Sequence, residues 1–313
     1  MAAYILRRFV AGIVLAVLVT FITYLLLATT FDSVVRALLG PAGTDETVAA
    51  KTTQLGWDRP ILVQYGDWLL HAVQGDLGRS LFTSEPVIPA VSQRLSVTLS
   101  IVLVALVLSV LLSIVLGVTA AVRGGIVDRL AQGISLVGML IPGLLLSIGL
   151  VLVFAITLKV LPATGYTAPG DDFGRYLAAI TIPVFVLVVA GTASMSAQVR
   201  GAMIGELRKD YVRTLEARGL SRRAIILKHV LRNAAAPAVT VLGFEFITML
   251  GGAIFIEKVF ALPGYGTFSL NSALRGDVPV ILGITAFSVM LVVFVNLLVD
   301  LAIGWLTPKA RML

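Results

Sequence analysis

The chain is 313 residues long, 58% hydrophobic and 13% charged, with a formal net charge of +7 and no cysteine. Soluble domains carry about 25% charged residues, so a chain this apolar is a polytopic membrane protein, and the missing thiol excludes disulfides, thiolate catalysis and Cys-ligated metal centres. The excess cations read as charge held on the cytoplasmic side of a bilayer, with no nucleic-acid partner, and the two histidines, His71 and His229, lack metal-ligand spacing.

Residues 1–30 form a cytoplasmic N-terminal end and a first span. Phe9 to Thr30 is an uncharged apolar run behind Arg7 and Arg8. A signal h-region is only ~7–15 residues long, and more spans follow, so an anchoring helix is expected. Residues 31–94 form an extracytoplasmic, helical segment. Thr44 is placed to cap a helix carrying Asp45 and Glu46 in its first turn, with Gly56 at its end. Pro60 fits the start of a second helix, in which Ile61, Tyr65, Trp68, Leu69, Ala72 and Val73 repeat at helical spacing. So short a segment is marginal as a free domain and is expected to pack on the membrane bundle.

Residues 95–306 hold five further spans. The second runs from Leu95 to Val122, the third from about Leu130 to Leu158 through Pro142-Gly143, and the fourth from Tyr176 to Val199. The fifth covers Ala238 to Ile256 with Glu245 inside it, and the sixth Val280 to Leu306. The tail 307–313 carries Lys309 and Arg311. The expected class is all-α polytopic with six transmembrane helices and both termini cytoplasmic. Fifteen of the 24 Lys/Arg then fall on the cytoplasmic side.

Nine of those fifteen lie between Arg200 and Pro237. Met203, Leu207, Tyr211 and Leu215 step by four, which predicts a helix over Met203 to Arg218. Gly219 reads as a left-handed C-cap and Ser221 as the cap of a second helix with Leu220, Ala224, Leu227 and Leu231 as its stripe. This helix–Gly–helix loop at the cytoplasmic end is either a protein-docking element or an amphipathic hairpin on anionic lipid. No G-x-x-x-x-G-K-[ST], H-E-x-x-H or G-x-S-x-G occurs in the chain, so it is read as a non-enzyme without an ATP-binding loop of its own. The span serines (Ser109, Ser113, Ser135, Ser147) read as interhelical glue. Glu245 near mid-depth needs a partner or a water-filled cavity, since a charge there costs roughly 2.5–3.5 kcal/mol on insertion scales.

The loop resembles the cytoplasmic coupling loop of ABC-importer permeases. Gly219 stands at that loop's glycine, while Arg213, Thr214 and Leu215 replace its Glu-Ala-Ala triplet and Glu216-Ala217 is out of register. Asp210-Tyr211-Val212-Arg213-Thr214, Arg218-Gly219-Leu220 and Leu231-Arg232-Asn233-Ala234 with Pro237 are similar to the dipeptide/oligopeptide/nickel branch. Gly75-Asp76-Leu77-Gly78-Arg79-Ser80, Leu161-Pro162-Ala163-Thr164-Gly165-Tyr166 and Glu257-Lys258-Val259-Phe260 through Gly266 look like its outer loops.

The resemblance implies the type I importer permease fold and, from the long first outer loop, the first of two permeases in the bacterial inner membrane. It implies a second homologous permease, two ATP-binding domains (separate or fused) and an extracytoplasmic solute-binding protein as partners. This chain binds no cofactor; ATP and Mg belong to the ATPase subunits. Asp210, Tyr211, Arg213, Thr214, Leu215, Ala217, Gly219 and Leu220 are then the ATPase-coupling residues. Glu245, from its depth alone, either lines the translocation pathway or makes an inter-subunit hydrogen bond. The solute is a di- or oligopeptide, with nickel complexes, glutathione and haem-like cargo remaining open. An ion-driven secondary transporter is the rival class; it predicts more deep carboxylates and an internal repeat, neither of which is seen in the sequence.

Overall fold

The structure, a computed structural model, describes residues 2–306, with side chains for all of these except residues 2–4, 42, 236, 237 and 306. Lys309 and Arg311 lie outside the described residues. Among the described residues the regular elements are all helices, with one isolated bridge between Arg79 and Pro86. Five helices among the described residues are long and apolar enough to cross a membrane, six if the bent pair Gly125–Leu140 and Gly143–Thr157 is counted as one span. The chain divides into two compact units, Met1–Ser96 with Gly264–Phe294, and Val97–Pro263 with Val295–Leu313.

In the first unit, helix α1 is Ala2–Ala28, followed by α2 (Phe31–Leu39), α3 (Asp45–Gln54) and α4 (Ile61–Val73). The Thr44 side chain accepts from the Thr47 amide while the Thr47 hydroxyl accepts from the Thr44 amide, a reciprocal cap that fixes where α3 starts. The segment does pack on the first span. Tyr65 places its ring 5.0 Å from Phe21, and its hydroxyl reaches the Val17 carbonyl at 2.9 Å and Thr20 Oγ1 at 2.9 Å. Gln64, buried beside it, accepts from the Tyr24 hydroxyl at 2.7 Å and donates to the Arg59 carbonyl at 2.6 Å. These bonds satisfy polar groups that burial would otherwise penalise.

The same unit holds the start of α5 (Val87–Arg123), α12 (Tyr265–Arg275) and the first part of α13 (Val278–Leu306). Asp277, 4% exposed, accepts from Ser80 Oγ at 2.5 Å and from the Leu81 amide at 3.0 Å. That carboxylate fastens the turn before α5 to the start of α13, and Val87, Val91, Val280 and Ile284 close a core around the junction.

In the second unit the third span is not one helix. Helix α6 (Gly125–Leu140) meets α7 (Gly143–Leu150) at an angle of 92°, and α7 continues as a π-type turn over Val151–Thr157. The run expected from about Leu130 to Leu158 through Pro142-Gly143 bends at Pro142, whose ring and missing N–H remove the ladder there. The fourth span, α8 (Phe173–Leu207), is 35 residues long and packs against α6, α7 and α11 (Leu231–Val259). Both α8 and α11 therefore run past the membrane-length boundaries that hydropathy set, and their extra turns build the polar loop.

Candidate functional site

Between α8 and α11 lie α9 (Asp210–Ala217), a single turn α10 (Arg222–Ala224) and a π-type segment Ile225–Val230 that leads without a break into α11. The predicted helix over Met203 to Arg218 is broken at Arg208-Lys209, where Lys209 is extended. The reason lies in the burial. Met203 is 0% exposed and Val212 4% exposed, and both enter one core cluster. Nine residues apart, they would face opposite sides of an unbroken helix; the break brings both inward.

The second predicted stripe is also displaced. Leu227 is 62% exposed, while Ile225 and Val230, five residues apart, are buried with Ala234. A π-type turn inserts one residue into the helical repeat, and this five-residue spacing is its mark. The loop is thus one short helix slung between the extended ends of two spans, rather than a pair of free-standing helices.

Side chains lock that geometry. The Tyr211 hydroxyl donates to Glu206 Oε2 at 3.0 Å and accepts from Asn233 Nδ2 at 3.3 Å, tying α9 to both flanking helices. Lys209 pairs with Glu206, which holds its ammonium pKa above the usual lysine value, and burial pushes the Tyr211 phenol up. Gly219 has φ +79°, the left-handed region that the tight turn needs. Ser221 Oγ then accepts from the Ala224 amide at 3.3 Å, the expected cap. Arg200 grips Asp128 of α6 through Nε and Nη2, the latter at 2.6 Å, and Arg222 donates to the Val122 carbonyl at 3.3 Å at the end of α5. Tyr211, Leu215 and Leu220 are half-buried against the cluster, while Asp210, Arg213, Thr214 and Ala217 face outward with Glu216 and Arg218. The loop therefore offers a polar outer face on a greasy, anchored base.

Glu245 lies on α11 and is 5% exposed, with the Ser194 hydroxyl of α8 as its hydrogen-bonding neighbour. It borders a cavity of about 380 Å³, whose wall includes Pro142, Gly143, Ser147, Ala190 and Thr248. Volumes of ~300–1,000 Å³ are those of small-molecule sites. Pro142 and Gly143, at the bend between α6 and α7, line the same space as Glu245. Sequence reading found Pro142 and Glu245 separately but not their juxtaposition, nor Ser194; only a helical-phase comparison of α8 with α11 could have paired them. Among the described residues no three Asp, Glu or His side chains converge as a metal site.

Residues 113–312 match the family model described as binding-protein-dependent transport system inner membrane component, and residues 1–102 match the model of that component's N-terminal region. The chain belongs to this family. It is 35% identical over 312 residues to a peptide ABC transporter permease protein of Sinorhizobium fredii, covering 99% of this chain and 100% of that one. It is 32% identical over 324 residues to the oligopeptide transport system permease protein OppB of Mycobacterium bovis, covering 99% of each. A chain of the MetNI methionine ABC transporter, in an inward-facing form, superposes with a TM-score of 0.56 at 18% identity, over 72% of this chain and all of that one. The fold is that of ABC importer permeases, and the protein is a multi-pass inner-membrane permease subunit of such an importer.

Proposed function

We propose that this permease passes peptides inward as one half of a heteromeric pore, and that α9 with its turn at Gly219 transmits the motion of an ATPase subunit to α8 and α11. The observation that carries this reading is the anchoring of α9 to both spans through Glu206, Tyr211 and Asn233. A short helix so tied moves with the spans as a rigid body. The outward side chains Asp210, Arg213, Thr214 and Ala217 meet the ATPase surface. Tyr211, Leu215 and Leu220 hold the helix to the permease, and Gly219 sets the turn. ATP is bound with Mg and hydrolysed on two partner ATPase domains; a second permease and an extracytoplasmic binding protein complete the machine.

The peptide class rests on the relatives' descriptions, in which peptide transport recurs over nearly the whole chain length. Glu245 lines the pathway from the cavity beneath Pro142. Both chain ends lie in the cytoplasm, as the Lys/Arg distribution favours. The test is isolation from the native membrane followed by disulfide trapping. The chain has no cysteine, so a single Thr214→Cys is expected to cross-link to a cysteine in the ATPase groove and to stop peptide uptake. Purification as a self-sufficient carrier, or uptake competed by nickel complexes or haem and not by peptides, overturns the respective part of the reading.

A further inference from the structure

Helix α4 stands in the segment between the first two spans, yet its outward face is not that of a water-exposed helix. Leu62, Leu70 and Val73 are 73%, 59% and 75% exposed. With Gly66 they share one stripe at i, i+4, i+8 and i+11. Tyr65, Trp68, Leu69 and Ala72 fill the inward face. A third, narrow stripe is polar: Asp67, paired with Arg59 at 2.7 Å, and His71, whose Nδ1 lies 2.7 Å from the Asp67 carbonyl. A helix in water turns one apolar stripe inward and polar residues outward. One with apolar residues on two sides and a thin polar edge suits a boundary between hydrocarbon and water.

Depth says which boundary. A hydrocarbon core of about 30 Å takes ~20 helical residues at about 1.5 Å each. Counted from Arg7 and Arg8 at one end of α1, that length ends near Ala28. The Tyr65 ring sits against Phe21 and Tyr24, with centroids 5.0 and 5.9 Å away. Those residues lie roughly 6–10 Å inside the boundary by the same rise. Tyr65 also packs with Val278 and Leu282, the first turns of α13. Interfacial helices bury their apolar face about 5–10 Å into the headgroup–acyl boundary.

We infer that α4 is an interfacial helix whose Leu62, Leu70 and Val73 insert among the acyl chains of the leaflet that meets the C-terminal end of α1, with Asp67 and His71 at the headgroups. The exposed residues Ile22, Leu25 and Leu26 of α1 lie within about 10 Å of the same boundary. The acyl chains that cover α1 therefore cover α4 as well. Naming that leaflet the outer one rests on the orientation proposed above; the depth does not.

The test uses the whole importer in liposomes, with single cysteines Leu70→Cys, Val73→Cys and, as a water-facing control, Ala49→Cys on α3. Each is labelled with bimane, and the phosphatidylcholine is replaced by its 6,7-dibromo form. Quenching at least twofold stronger at positions 70 and 73 than at 49, with labelling by a membrane-impermeant maleimide slowed tenfold or more, is the expected result. Equal maleimide rates at all three positions with no bromolipid quenching overturn the inference in favour of a water-facing helix. Protection without quenching, or protection that appears only when the binding protein is added, overturns it in favour of a protein dock. If Ala49→Cys is labelled only from the liposome side that carries the ATPases, the orientation fails while the depth result stands.

Discussion

The Asn233 amide donates to the Tyr211 hydroxyl across 3.3 Å, and through that bond the short helix of the polar loop is fixed to the first turn of α11. The same hydroxyl donates to Glu206 at the end of α8. One phenol oxygen thus hydrogen-bonds across three helices, while the ring below it packs in the shared apolar cluster. Tyr211→Phe keeps the ring in the half-buried cluster and removes both bonds. At ~0.5–1.5 kcal/mol per net hydrogen bond, the loop loses rigidity more than it loses fold. Expected is wild-type yield of the complex with uptake per ATP hydrolysed lowered about two- to tenfold, measured in liposomes. An unchanged transport-to-hydrolysis ratio sinks the rigid-body role of Tyr211.

Gly219 presents a cleaner case, because a Cβ added there meets no atom within 4 Å. Any effect of substitution therefore comes from the backbone, whose φ of +79° disfavours side chains. The cost is about 1–2 kcal/mol for an ordinary L-residue, higher for a β-branched one and lower for asparagine. Gly219→Val is expected to leave the protein inserted but to uncouple ATP hydrolysis from uptake, with Gly219→Asn close to wild type. Normal uptake by the valine variant at normal expression rules out the tight-turn role.

Helix packing in the second unit gives a stability prediction that is independent of transport. A Cβ on Gly117 of α5 would lie 2.8 Å from Val199 Cβ and 2.9 Å from the Ser196 carbonyl oxygen. The clash is with backbone and a β-branched carbon, neither of which swings away, so Gly117→Ala is expected to cost ~1–3 kcal/mol as overpacking does. Gly201, on α8, faces open space. There the same substitution adds helix propensity and is expected to be neutral or stabilising by about 0.5–1 kcal/mol. Thermal denaturation of the purified complex, followed by loss of monodispersity, reads both; a Tm for Gly117→Ala equal to wild type removes the close-approach argument.

Hydropathy revealed the spans because lipid demands long uncharged helices whatever their packing. It set their ends too early, since α8 and α11 continue for turns whose burial is supplied by Met203, Val212, Ile225 and Val230 rather than by lipid. The break at Arg208-Lys209 has no Gly or Pro to announce it; it follows from where Met203 and Val212 must both go. Pro142, by contrast, was visible, but a proline alone does not say whether a helix kinks slightly or turns by 92°. Thr44, Gly219 and Ser221 were legible because capping is local chemistry. Ser194 was not, because its relation to Glu245 depends on the mutual phase of two helices fifty residues apart.

That relation decides how Glu245 is to be tested. A buried carboxylate held by Ser194 could serve only to join α8 to α11, and removing it by Glu245→Ala would disturb packing and charge together. Glu245→Gln keeps the volume and a group able to bond Ser194 while deleting the charge. Ser194→Ala deletes the bond and keeps the carboxylate in its cavity. If the carboxylate meets the ammonium of a passing peptide, the glutamine variant loses a charged hydrogen bond of about 1.5–3 kcal/mol, roughly ten- to hundredfold in uptake. Its complex yield stays normal, and peptides with an acetylated amino end are affected less. If the carboxylate only joins helices, Ser194→Ala lowers thermal stability and Glu245→Gln leaves uptake intact for both kinds of peptide. Wild-type uptake and yield for Glu245→Gln, Glu245→Ala and Ser194→Ala alike would falsify both roles.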